Sequence, residues 1–270
     1  MPTVEPVEAS PFPSRRQLPG TGPALFRGLA AAWPAVDKWT PQYIGALAPD
    51  MPIQLVVGNR ESGATRFSTS TLGAYVDGIT GDQTDESHPP YLKEFDLLRR
   101  LPELRRDLRQ DELFPRRCIR SSSAWIGPRG SRTGLHYDIL DNFATVASGR
   151  KRFLLARPGA VEQAGHVSGK YDPWAVLARC THADLARAGD LGPGTLFQAD
   201  LGPGDVLYVP AGWWHEVVNL SPSVLISGFF GKPHRVVAKG AAVAFRNALH
   251  LCGFPDKNSC TCHAPTERTD

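Results

Sequence analysis

His136 and Asp138 sit two apart in "TGLHYDILDNF", a stretch that begins at Thr133 and otherwise reads as apolar. In an extended strand, residues i and i+2 share a face. The imidazole and the carboxylate therefore point one way and Tyr137 the other. A nitrogen donor beside an oxygen donor can grip a single metal ion. Far downstream, "VLYVPAGWWHEV" ends an apolar strand at His215. Two histidines and a carboxylate make the facial donor set of non-haem iron(II) centres, which leaves three octahedral positions open. A bare H-x-D carries little weight, because a buried histidine is more often a hydrogen-bonded core residue. The surroundings strengthen it: Asn142 follows in the next strand, Lys151 opens another after a Ser148-Gly149 turn, and His215 lies behind the turn-strand-turn "LGPGDVLYVPAGWWH".

The elements that must position these residues read mostly as strands. From Ser121 to about Pro233, "NFATVASG", "KRFLLARP", "GDVLYVPAG" and "SVLISGFF" are short runs rich in branched and aromatic residues, bounded by glycine turns. There is no alternating strand–helix rhythm, so a barrel or sandwich is expected. One helix is expected inside this region, over "DPWAVLARCTHADLARAG", with Asp172 as N-cap and Pro173 at the first helical position. Upstream, Thr40 and Pro41 open a helix in "DKWTPQYIGALAP", "PIQLVVG" reads as a strand, and "STSTLGAYVDGI" as a short capped helix. Downstream, "RVVAKGAAVAFRNALHLCG" has helical apolar spacing and ends at Gly253, as core cover or, alternatively, a dimer contact.

The bulk properties fit a folded protein. The chain has 270 residues, 41% hydrophobic and 21% charged, with a formal net charge of +3 that points neither to nucleic acid nor to a membrane surface. The opening "MPTVEPVEASPFPSRRQLPG" has no apolar signal core, and no run is long enough to span a bilayer. With five cysteines in no even framework, a reducing cytoplasm is the expected compartment. The expected organisation is a flexible proline-rich arm (1–20), N-terminal α/β elements packing on the barrel (21–120), a catalytic barrel core (121–235), a C-terminal helix (236–253) and a loose tail (254–270). The arginine-rich stretch 99–120 has interleaved acids and reads as a solvated face with local ion pairs rather than a patch for an acidic partner or RNA.

"TGLHYDILDNFATVASGRKRFLLARP" and "LGPGDVLYVPAGWWHEVVN", with support from "PALFRGLAAAWPAVDKW", give the chain a resemblance to the cupin-like JmjC family of Fe(II)- and 2-oxoglutarate-dependent oxygenases, of the type that hydroxylates an asparagine of hypoxia-inducible factor. The resemblance implies a mainly β fold, a double-stranded β-helix (jelly-roll or cupin barrel) with flanking N-terminal α/β elements and a C-terminal helix. It implies that His136, Asp138 and His215 bind Fe(II). Lys151 would pair with the distal carboxylate of 2-oxoglutarate, Thr133 and Tyr91 would hydrogen-bond that carboxylate, and Asn142 would lie near cosubstrate and metal. Such a protein couples oxidative decarboxylation of 2-oxoglutarate by O2, to succinate and CO2, to hydroxylation of a second substrate. Peptide, RNA and small molecule all remain open as that substrate. Hydroxylation of an N-methyl carbon would lead to demethylation. A homodimer through the C-terminal helix is also implied. One departure is Ser227-Gly228, where some relatives carry a second asparagine.

The alternative from another class is a non-catalytic metal-binding module, which would not need Lys151. Trp213 and Trp214 are expected to divide between the core and the substrate mouth. Cys260, Cys262 and His263 form a C-x-C-H cluster to which Cys252 could be added as a zinc set, but the spacing is not a standard one and thiols on a tail are expected. His88, His166, His182, His234 and His250 have no partner spacing and are expected at the surface or in the core.

Overall fold

The structure is a computed structural model and describes residues 4–13, 20–63, 65–79, 89–115, 118–188, 191–254 and 259–263. The elements in chain order are β1 (Val4–Pro6), β2 (Ala24–Phe26), α1 (Pro34–Lys38), α2 (Pro41–Leu47), β3 (Pro52–Val57), β4 (Arg66–Thr71), α3 (Leu72–Ile79), β5 (Leu92–Phe95) and α4 (Leu97–Arg100). There follow β6 (Ile119–Gly127), β7 (Arg132–Asp138), β8 (Asp141–Ser148), β9 (Lys151–Ala156), α5 (Ala160–Gln163), β10 (Ala175–Leu177), α6 (His182–Ala188), β11 (Leu196–Leu201), β12 (Val206–Val209), β13 (Trp214–Asn219), β14 (Ser223–Gly231) and α7 (Pro233–Leu251).

One six-stranded sheet has the order β1-β11-β9-β13-β7-β10 and the other β2-β12-β8-β14-β6-β5, with β3 and β4 as a separate hairpin. The chain steps from sheet to sheet: β6, β7, β8 and β9 alternate between the two, and so do β11 to β14. That winding is the expected jelly roll, mainly β with a C-terminal helix. Leu25, Val146, Phe153, Leu155, Leu207 and Leu225 fill the space between the sheets. A second cluster, with Trp39, Ile44, Leu72, Leu92, Leu97 and Ile126, packs the N-terminal helices on the outer face of β5 and β6.

Local signals explain several boundaries. Thr40 Oγ1 accepts the Tyr43 N–H at 3.1 Å, with Pro41 opening α2. Gly149 turns β8 into β9 at φ +75°, and a Cβ there would stand 2.0 Å from the Pro222 carbonyl oxygen, so only glycine fits. Gly253, at φ +97°, follows α7 as expected. In "STSTLGAYVDGI" the first four residues belong to β4, and the helix begins only at Leu72.

Four expectations are corrected. The described part of the N-terminal arm is not loose: Val4–Pro6 pairs in parallel with Leu196–Gln198, and Val7 is buried among the inter-sheet residues. Apolar anchoring and ladder bonds outweigh the proline content, and Pro6 is tolerated because β1 is an edge strand. Asp172 does not cap a helix. Its Oδ1 accepts the N–H groups of Trp174 and Ala175 at 2.8 Å each, the donors an N-cap would satisfy. The chain then extends as β10 against β7, burying Ala175 and Leu177, and α6 starts only at His182. α7 covers little core: it buries Val243 and His250 and leaves Val237, Phe245, Leu249 and Leu251 exposed. Part of the described tail is packed: Cys260 bridges to Tyr171 in parallel, and Cys260 and Thr261 are buried, while Phe254, Ser259, Cys262 and His263 are exposed.

In the arginine-rich stretch, Arg99 and Arg100 pair with Asp96, and Arg120 with Asp111, so those charges are locally compensated. Arg116, Arg117 and His88 lie outside the described residues.

Candidate metal and cosubstrate site

β7 and β13 are antiparallel neighbours, and His215 stands directly opposite His136 in the register. Such cross-strand pairs hold their Cβ atoms close on one face, and the two imidazole centroids are 4.2 Å apart. Asp138, two residues along β7, shares that face. Its carboxylate oxygens lie 3.8 Å from His136 Nε2 and 3.5 Å from His215 Nε2. One donor atom from each of the three residues falls within 4.8 Å of the others, so the set can hold a metal ion. Tyr137 points to the opposite face and packs edge-on against Trp214, with centroids 4.8 Å apart.

Each histidine is oriented through its other nitrogen. His136 Nδ1 lies 2.7 Å from the Gly134 carbonyl and His215 Nδ1 3.1 Å from the Trp213 carbonyl. A carbonyl accepts but cannot donate, so these contacts place the ring proton on Nδ1 and leave both Nε2 lone pairs facing Asp138. Burial lowers the His215 pKa to about 4 and raises that of Asp138 to about 6. The site disfavours charge of its own and favours an arriving cation that the deprotonated donors can ligate.

Lys151 opens β9 and is fully buried. Its Nζ donates to Tyr91 Oη at 2.9 Å and to Asn219 Oδ1 at 2.6 Å, both neutral. Among the described residues no carboxylate pairs with it. Burial, with nearby Lys93 adding repulsion, brings its pKa down to about 7. An ammonium in such a place gains most from an anion delivered by a ligand. The neighbouring Lys93 is different: Glu61 accepts from its Nζ at 3.0 and 3.1 Å. Burial alone would raise the Glu61 pKa, but Lys93 and Arg60 hold it at about 2. Glu61 also accepts the Gly134 N–H, which braces β7 two residues before His136.

All seven residues singled out from the sequence line one cavity of about 690 Å³: His136, Asp138, His215, Lys151, Thr133, Asn142 and Tyr91. The metal donors, Lys151 and Thr133 come from one sheet. Asn142 comes from β8 in the other, where its Nδ2 donates to Ser227 Oγ at 3.2 Å and its Oδ1 is buried without a partner among the described residues. Asn142, like Lys151, lines the cavity that a polar ligand would fill. Ser227-Gly228 also has a packing reason, since a Cβ at Gly228 would meet Phe114 Cζ at 2.6 Å.

The donor chemistry fits iron(II), and the Lys151 clasp fits a dicarboxylate such as 2-oxoglutarate. The tryptophan expectation is corrected. Trp214 is in the core, and the Trp213 indole N–H donates to the Thr21 carbonyl, while the cavity is lined by Trp125 and Trp174 instead. Sequence reasoning also missed Asn219, paired in register with Lys151, and the Glu61–Lys93 pair. Asn219 closes the quoted "HEVVN", but no local signal pairs it with Lys151; the register of β13 on β9 does.

The model of the family described as "Cupin-like domain" matches residues 9–235. The chain is 26% identical over 223 residues to lysine-specific demethylase JMJ30 of Arabidopsis thaliana, covering 78% of this chain and 50% of that protein. It is 26% identical over 226 residues to Jumonji C domain-containing protein 5 of Drosophila melanogaster, covering 76% and 53%. It is 29% identical over 224 residues to the HSPB1-associated protein 1 homolog of Danio rerio, covering 74% and 49%. The chain thus spans about half the length of these relatives.

Proposed function

Since this chain belongs to the cupin-like domain family, among whose members JmjC proteins are its relatives, we propose that it is an Fe(II)- and 2-oxoglutarate-dependent oxygenase. It hydroxylates a carbon of a second substrate drawn from peptides, RNA or small molecules. Where that carbon is an N-methyl, the product loses formaldehyde and is demethylated. The single observation that carries this reading is Lys151, a buried ammonium with two neutral partners in the same cavity as the His136–Asp138–His215 set. A module that only held a metal would have no use for it.

His136 and His215 would offer Nε2 and Asp138 an oxygen, holding the ion on one face and leaving the other for ligands. Iron(II), when bound, supplies the redox chemistry by which O2 and 2-oxoglutarate yield succinate, CO2 and a hydroxylated product. Lys151, with the Tyr91 hydroxyl, anchors the distal carboxylate, and Thr133 adds a hydroxyl on the same wall. Asn142 presents its buried amide toward the cosubstrate. The apolar walls from Phe153, Leu225 and Val217 exclude water from the reacting centre.

The test is anaerobic titration of the Fe(II) protein with 2-oxoglutarate, followed by aerobic incubation. The expected results are a weak visible charge-transfer band from the chelate and succinate above background. No band and no succinate would favour the metal-holding module.

A further inference from the structure

A second set of donors converges around the C-x-C-H cluster, outside the His136–Asp138–His215 set. His250, in the last turn of α7, meets Cys260, Cys262 and His263, and one donor atom from each lies within 4.8 Å of the others. His263 Nδ1 stands 3.4 Å from His250 Nε2, 3.3 Å from Cys260 Sγ and 3.3 Å from Cys262 Sγ, and Cys262 Sγ is 3.4 Å from His250 Nε2. Hydrogen bonding does not account for this grouping. An imidazole nitrogen has a single in-plane position, either one N–H or one lone pair, yet here it faces three donor atoms at once. Four ligand-grade donor atoms this close to one another are accounted for by a cation among them. With Zn–N and Zn–S lengths of about 2.05 and 2.3 Å, a tetrahedron has edges of about 3.4 Å between nitrogens and about 3.6 Å between nitrogen and sulfur. The observed separations are close to those edges.

We propose that His250, Cys260, Cys262 and His263 form a closed, four-coordinate site for a thiophilic divalent ion, zinc by chemistry, which fastens residues 259–263 to the end of α7. The donor set differs from the three-residue oxygen-and-nitrogen set on β7 and β13: two thiolates select zinc, and four protein ligands leave no open position for catalysis. Cys252 is not in the set. It is exposed, and His250 takes the place the sequence would have offered it.

The surroundings are built to hold this node. The Tyr171 ring lies against His250 with centroids 4.4 Å apart, and its hydroxyl donates to Asn247 of α7. The Tyr171 N–H donates to the Ser259 carbonyl and its own carbonyl accepts from Thr261 N–H. Thr65 Oγ1 donates to the Cys260 carbonyl at 2.6 Å, and Thr261 Oγ1 to Asp172 Oδ2 at 2.5 Å. Thr261, Cys262 and Asp172 in turn line the cavity that holds the iron donors. The ion therefore fixes one wall of the substrate entrance without entering the chemistry.

The proposal does not depend on the oxygenase reading, and its test is independent of activity. The full chain is expressed in zinc-replete medium, and metal content is measured in the wild type, in a His136→Ala/His215→Ala variant and in a Cys260→Ser/His263→Ala variant. Close to one zinc per chain is expected in the first two and a loss of it in the third. Where a variant fails to fold, cobalt(II) added to the wild-type chain decides alone. A thiolate-to-cobalt band with the intense visible bands of a tetrahedral ion is expected, and the β7–β13 set, having no sulfur, cannot give it. No zinc and no thiolate band in the wild type, zinc that disappears with His136 and His215, or a Cys260–Cys262 disulfide in the isolated protein would each overturn it.

Discussion

At the scale of single residues, the site depends on what each side chain is denied. Burial raises the Asp138 carboxyl above its usual range and keeps the His215 ring neutral, and Lys151 is kept from an acid of its own. Replacing Asp138 with alanine removes the only carboxylate of the donor set, so iron binding and succinate production should both fall to background, as read by metal analysis and by succinate assay. Lys151→Met should spare iron binding but weaken 2-oxoglutarate by roughly 10- to 100-fold, the scale of about 1.5–3 kcal/mol for a hydrogen bond to a charged group. Calorimetry with a redox-inert metal would measure it. The pH dependence has a defined sign. Only the ammonium form of Lys151 attracts a carboxylate, and its pKa before ligand arrives is about 7. Affinity for 2-oxoglutarate should therefore weaken above pH 7, approaching tenfold per unit, and the methionine variant should lose that slope. A two-residue period and a strand opening are local signals that drew notice to His136, Asp138 and Lys151, but the roles of these residues and of His215 came with the family resemblance. Asn219 and the Glu61–Lys93 pair could not be read from the chain, since partnership across strands depends on a register that only the folded sheets establish.

Glycine placement carries much of the information at the scale of elements. A Cβ at Gly127, the last residue of β6, would come within 2.5 Å of Tyr91 Cδ2. The Gly127→Ala variant should push the Tyr91 ring from its bond to Lys151 and raise the 2-oxoglutarate KM, by less than Lys151→Met does, with iron binding intact. Steady-state kinetics would show the split. Gly149→Ala should act on stability instead, because both its φ and the nearby Pro222 carbonyl exclude a side chain. A loss of more than about 1 kcal/mol is expected in a denaturant melt. The Ser148-Gly149 turn and the Thr40-Pro41 helix start were legible because they are complete within a few residues. The Asp172-Pro173 pair misled for the same reason. Its capping chemistry is present, but the open edge of β7 draws the following residues into a strand, and edge availability is a tertiary fact. The C-x-C-H cluster likewise lacked its fourth donor until α7 brought His250 to it.

At the scale of the whole molecule, the jelly-roll winding, with its alternation between sheets, places Lys151 and the metal donors on one sheet and Asn142 on the other. The cavity is thus lined from both sheets, the metal donors and Lys151 from one and Asn142 from the other. Many short strands with glycine turns made a barrel or sandwich readable and the resemblance made it a jelly roll, whereas the pairing of β1 with β11 was not readable, because three residues of a proline-containing segment carry no strand signature. No helix among the described residues is long and apolar enough to cross a membrane. β1 also has a meaning for how the protein survives its own synthesis. It shields the outer rim of β11, where Leu196 and Phe197 would otherwise offer free backbone groups to any passing chain. Polypeptide lacking Val4–Pro6 should still close its barrel yet accumulate as sedimentable aggregate on refolding; because β1 is made first, the guard is already waiting when the ribosome delivers β11.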